Sequence, residues 1–231
     1  MTKLQYIAMT LEHDGERMSK DPGSWYWLFV QVNRRSMSLS HFLQRHIQPL
    51  RFQTDGFVKW IVKYSRKPAA EPYYFGNFLD IDLPFDGEAY RALPVEPEAQ
   101  NEFFIQGFHD GIGRTLKSHA LPADELHDLM NQFRDGGYKN RWVHRKKSFR
   151  ELSLRCRVEV ELTLTNFEAR LIAERKGDVV LDTVIQTLKH PTPDYRFVDM
   201  KGIKVEDGKL IVHGGHVERS MFTCDIEALV S

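Results

Sequence analysis

At 231 residues the chain is long enough for one large domain or two smaller lobes with a buried core. Its 42% hydrophobic and 28% charged content is that of a folded globular protein and excludes a disordered or fibrous chain. Thirty-two basic residues balance thirty-two acidic ones, so no global field draws the protein to nucleic acid or to a membrane.

The opening residues, Met-Thr-Lys-Leu-Gln-Tyr-Ile-Ala-Met, hold no long apolar core and no cleavage site, so no signal peptide is expected and the expected location is the cytoplasm. Leu4, Ile7, Ala8 and Leu11 fit a helix and an edge strand equally well. Trp25 to Val32 reads as a buried strand, and its apolar run from Trp25 to Val30 is far too short to span a bilayer. Ser38 or Ser40 is placed to cap a short helix carrying Phe42, Leu43, Ile47 and Leu50, limited by Pro49. Phe57 to Tyr64 reads as a strand with Lys59 and Lys63 on one face.

Between residues 67 and 97 stand five prolines, Pro68, Pro72, Pro84, Pro94 and Pro97, which argue against long regular elements. Tyr73, Tyr74, Phe75, Phe78, Ile81, Leu83 and Phe85 nevertheless make the segment too apolar for disorder, and it reads as an ordered crossing between lobes. Glu98 to Lys117 has the helical spacing of Phe104, Phe108, Ile112 and Leu116, with Gly107 and Gly111 on an adjacent stripe that invites close approach of another backbone. Pro122 opens a second helix with Leu126, Leu129, Met130 and Phe133 on its apolar face, and Gly136-Gly137 ends it.

From Cys156 to Leu164 apolar and polar residues alternate; Phe167, Ala169, Leu171 and Ala173 repeat the pattern, and Lys176-Gly177-Asp178 supplies a reversal. An antiparallel meander is expected, followed by a hairpin at Asp207-Gly208 and a last strand from Met221 to Ile226. Cys156 and Cys224 lie in phase with apolar neighbours and read as buried free thiols, a disulfide being the alternative for an exported protein. The fold class is therefore α+β: an aromatic-rich N-terminal lobe with short strands over 1–97, and a helical pair with the meander over 98–231, or a single domain throughout.

No catalytic motif stands out. Gly107, Gly111 and Gly113 interrupt a helix rather than follow a strand, so they are not a nucleotide loop. His213-Gly-Gly-His216 lacks further ligands, and neither a metal nor a cofactor is expected. Asp80-Ile-Asp82 would project two carboxylates to one side of a strand. Charge distribution is more informative. Residues 78–102 hold seven acids against Arg91 alone, and Asp80, Asp82, Asp86 and Glu88 form a candidate acidic partner-binding face. Residues 139–157 hold eight bases against Glu151 alone, and Lys139, Arg141, Trp142, Arg145, Lys146 and Lys147 form the alternative, a phosphate-binding block.

The aromatic first half, the helical middle and Phe167-Glu-Ala-Arg-Leu-Ile-Ala-Glu-Arg-Lys-Gly-Asp within a C-terminal meander resemble the α+β immunity proteins of bacterial polymorphic toxin systems. The resemblance implies a cytoplasmic protein that neutralises a partner toxin by tight, non-catalytic binding. The alternatives are a hydrolase with a dispersed Asp/His site and a nucleic-acid-binding module centred on residues 139–157.

Overall fold

The computed structural model describes residues 2–13, 15, 21, 23–189, 200–214 and 220–230. The chain divides into two compact units, Met1–Asn140 and Arg141–Ser231.

The N-terminal unit is built on a four-stranded sheet in the order β2 (Tyr6–Leu11), β4 (Lys59–Ser65), β6 (Phe78–Pro84), β5 (Tyr73–Phe75). β2, β4 and β6 are parallel, and only the short β5 runs antiparallel, against β6. Register aligns Ile7 with Trp60 and Leu79, Met9 with Val62 and Ile81, and Leu11 with Tyr64 and Leu83. All nine side chains are buried, because alternation sends every second residue of each strand to one face. A separate pair joins β1 (Thr2–Lys3) to β3 (Gln53–Thr54).

Consecutive parallel strands need a crossover, and α1 (Trp25–Arg35) and α2 (Met37–Ile47) form it between β2 and β4. The strand expected over Trp25 to Val32 is therefore a helix. Ser24 caps it by accepting from Trp27 N–H, and its buried residues Trp25, Leu28 and Val32 keep helical spacing, while the aromatic residues between them stay half-exposed. The second helix lies where expected but starts earlier: Ser36 takes the N-cap position, Ser38 and Ser40 lie inside, and Leu50 is exposed beyond its end. Ser40 Oγ accepts from Met9 N–H at 3.2 Å and Ser36 Oγ donates to Met9 C=O at 2.9 Å, pinning the helix junction to β2.

The proline-rich segment contains more regular structure than its composition suggests. It supplies β5, β6 and α3 (Gly87–Arg91), and β6 is an inner strand of the sheet. α4 (Pro97–Thr115) and α5 (Ala123–Asp135) form as expected. They belong to the N-terminal unit rather than to the meander, because α4 packs on β4 and β6, and α5 on α2. What approaches Gly107 and Gly111 is the sheet's side chains and not a backbone: a Cβ would collide with the Tyr64 hydroxyl at Gly107 and with a Val62 methyl at Gly111.

The C-terminal unit opens with a meander in the order β7 (Asn140–Phe149), β8 (Leu154–Leu162), β9 (Asn166–Arg175), β10 (Asp178–Lys189). β8 pairs antiparallel with β9, aligning Cys156 with Ala173, Val158 with Leu171 and Leu162 with Phe167 on a buried face. β11 (Met200–Glu206), β12 (Lys209–Gly214) and β13 (Ser220–Asp225) form a second antiparallel sheet, with Ile203, Leu210 and Val212 buried. Asp207 and Gly208 both adopt positive φ, 49° and 71°, as the expected tight hairpin requires. The described part of this unit has one α-helix, α6 (Glu227–Val230). Cys156 is buried, Cys224 is half-buried, and both are free thiols. Burial pushes the Cys156 thiol up to about 12.

Candidate functional site

The four acidic candidates do not make one exposed face. Asp80 and Asp82 lie on the sheet face opposite Leu79, Ile81 and Leu83, where register sets Lys63 beside Asp82. Lys63 Nζ lies 3.1 Å from Asp82 Oδ1 and 3.6 Å from Asp80 Oδ2. Tyr73 Oη donates to Asp82 Oδ1 at 3.2 Å, Ala69 N–H donates to Asp82 Oδ2 at 3.1 Å, and Lys63 also reaches the Tyr73 hydroxyl. Arg114 of α4 donates to the Asp82 carbonyl and to the carbonyls of Ala69 and Ala70, closing the cluster from the helix side. Only 6% of the Asp82 side chain and 14% of Asp80 reach solvent.

Burial alone would lower the Lys63 pKa, but hydrogen bonds to Tyr73 and Asp82 outweigh it and hold the ammonium charged. Burial raises the Asp80 carboxyl against the pull of Lys63, and it raises the Tyr73 hydroxyl as well. The Lys63 ammonium thus ties the two carboxylates and the Tyr73 phenol into one half-buried network. Asp86 is exposed and caps α3, accepting from Glu88 N–H at 2.9 Å and Ala89 N–H at 3.0 Å, while Glu88 is exposed.

The basic candidates lie mainly on β7. Alternation exposes Arg141, Val143, Arg145 and Lys147, and leaves Trp142 and His144 half-buried. Lys139 is half-buried ahead of the strand, and Lys146 is exposed. Arg141 Nε donates to Glu161 Oε2 at 2.7 Å, and Arg145 Nε donates to the Met200 carbonyl at 3.2 Å. Further along the block, Arg157 pairs with Glu159 at 2.6 Å and also with Glu174. Arg141 and Arg157 of the positive block are thus answered by carboxylates of the same sheet.

Glu159 and Glu161 border a hollow of about 510 Å³ on the open face of the meander, where Arg141 and Val143 of β7 meet these two residues of β8 and Glu168 and Arg170 of β9. Glu161 stands directly across from Glu168, and Glu159 across from Arg170. Two like charges in facing positions repel. Arg141 answers Glu161, while Arg170 answers Glu168 at 3.3 Å and Asp182 of β10 at 2.8 Å. Glu159, Glu161, Glu168 and Arg170 were legible in the sequence as the wetted side of alternating strands; no sequence signal marked them as the rim of one hollow.

Apart from His109 and His127, whose rings stack, the described histidines do not gather in one place. His119 Nδ1 pairs with Asp55 Oδ2 at 2.6 Å, and burial with the nearby Arg45 charge lowers His41 from 6.5 to about 4. His213 lies on β12, and its sequence companion His216 lies outside the described residues. Among the described residues no three or more His, Cys, Asp or Glu gather as a metal site would require. No helix among them is long and apolar enough to cross a membrane. Comparison of the chain with protein-family models, with curated proteins and with solved structures gave no match.

Proposed function

We propose that this protein binds a protein partner on the open face of the β7–β10 sheet, and that it acts as an immunity protein, neutralising a toxin in the cytoplasm without catalysis. The observation that carries the reading is the hollow bordered by Glu159, Glu161, Glu168, Arg141 and Arg170. Charges of both signs in fixed rows suit the mixed surface of a folded protein, for which they set register and reject wrong partners. A phosphate backbone would meet three carboxylates at the same place, which disfavours the nucleic-acid alternative. Exposed Val143 adds apolar surface at the rim. The acidic contribution to partner binding, first sought at Asp80, Asp82, Asp86 and Glu88, falls in this reading to Glu159, Glu161 and Glu168.

The test is capture of partners by the tagged full chain from its native lysate, at low and at high salt, beside a Glu161→Lys/Glu168→Lys variant. The expected result is one stoichiometric protein that survives high salt on the wild type, is lost from the variant, and is toxic when expressed alone. Recovery of nucleic acid released by salt, or a partner indifferent to the charge reversal, would overturn the reading.

A further inference from the structure

α4 and α5 touch at two levels. Near the start of α4, the Glu102 carboxylate accepts from Arg134 Nε and Nη2 of α5, both at 2.8 Å, and from the Tyr138 hydroxyl at 3.0 Å. Seven residues further along α4 and seven earlier on α5, the rings of His109 and His127 stack with centroids 4.7 Å apart and planes 16° from parallel. The helices therefore run in opposite directions, and the two contacts stand two turns apart, about 10 Å. Between and beneath them α5 buries Leu126, Leu129, Met130 and Phe133.

The two contacts answer acid differently. The Arg134 hydrogen bonds hold the Glu102 carboxyl below its ordinary range, so that clasp persists until the carboxylates themselves take up protons. At the other level two imidazoles are in ring contact, and a second proton there would set two positive charges face to face. The charged and titratable groups around His109 are His127 and Arg134 from α5, which oppose its protonation, and Asp110 and Glu102 on α4, which favour it. Burial, followed by the two α5 groups, prevails and keeps His109 below its ordinary 6.5.

We propose that His109 and His127 form an acid-sensitive latch: as the pH falls through the histidine range, the N-terminal half of α5 swings free while the Glu102–Arg134 clasp retains its C-terminal half. Because the closed state binds fewer protons than the open one, stability of the closure is present above the ordinary histidine value and is lost as the pH falls below it. Opening uncovers Leu126 first, and the retained clasp makes the movement local rather than an unfolding of the whole unit.

Amide hydrogen exchange of the full chain, followed by NMR from about pH 7.5 to about pH 5.5 and corrected for intrinsic rates, tests this. The opening constant over residues 123–129 is expected to rise by up to about tenfold per pH unit for each added proton, with residues 130–135 lagging behind. In His127→Gln the His109 ring should titrate closer to its ordinary value and the acid rise should flatten. His109→Gln should flatten it likewise, and serves if the first variant does not fold. A purely structural role for the rings would lower protection in both variants at every pH and leave the slope unchanged. That outcome, or opening of both halves of α5 together with the rest of the unit, would refute the latch.

Discussion

In the N-terminal unit the charged side chains that matter are largely covered: Lys63 lies between Asp80 and Asp82 on a sheet face, and His41 is held neutral. In the C-terminal unit Arg141, Glu161, Arg157, Glu159 and Arg170 ladder across an open sheet within reach of water. The same residue types therefore do different work. Under cover, each charge is tied to the stability of the fold, since a removed partner leaves another charge dry. On the open sheet, charges contribute little to stability and remain available for recognition.

The strongest way to break this contrast is Lys63→Met. It removes the ammonium shared by Asp80 and Asp82, with 14% and 6% of their side chains exposed, and leaves only the weaker pull of Lys59 on Asp80. A loss of about 3–5 kcal/mol is expected in urea unfolding of the N-terminal unit, with the C-terminal transition unchanged. A loss below about 1 kcal/mol would mean that the cluster behaves like a surface pair and that the contrast fails.

Acid supplies the second test. The His41 pKa is lowered in the fold from 6.5 to about 4, so below 6.5 the unfolded chain binds a proton that the folded chain refuses. Stability is therefore intact above 6.5 and declines as the pH falls towards 4, by about 3 kcal/mol for this group. His41→Gln should flatten that limb in pH-dependent thermal unfolding of the N-terminal unit. An unchanged acid limb would place the sensitivity in other groups.

Next in size is Gly107→Ala. At an ordinary helical position the exchange stabilises by about 1 kcal/mol. Here the new methyl meets the Tyr64 hydroxyl and the end of Met9 against the sheet, so a net loss of about 1–3 kcal/mol is expected. Gly113→Ala, where a Cβ meets nothing within 4 Å, is the matched control and should stabilise.

These sites also show what the sequence could and could not reveal. Period-two alternation from Cys156 to Ala173 and the four-residue spacing of Phe104, Phe108 and Ile112 are local, and the meander and α4 follow from them directly. The parallel sheet is not local: nothing between Leu11 and Lys59 states that Ile7 lies beside Trp60. Trp25 to Val32 misleads for a related reason, since aromatic and branched residues favour strands until the Ser24 cap and the needed crossover decide for a helix. The Asp80–Lys63 contact could be suspected from two lysines on one face of β4, yet pairing depends on a register that only the fold supplies. The charge blocks are visible segment by segment in the sequence, whereas the carboxylates of β8 and β9 that face Arg141 and Arg170 are set by strand pairing.

The smallest expected effect tests the open-sheet half of the contrast. Arg157 touches Glu159 at 2.6 Å and also Glu174, with 29% of its side chain exposed. Two partners and short contacts suggest a strong interaction by inspection alone. Solvent screening and the entropy of fixing long side chains argue otherwise, and Arg157→Met should change unfolding stability by at most about 1 kcal/mol. The remaining carboxylates can turn to water, which Asp80 and Asp82 cannot do. If the measured loss instead approached that of Lys63→Met, the β8–β9 ladder would act as a structural network like the buried cluster. Charge reversal at Glu161 and Glu168 would then weaken partner binding through the fold rather than through recognition, so the stability of Arg157→Met decides how the capture experiment is interpreted.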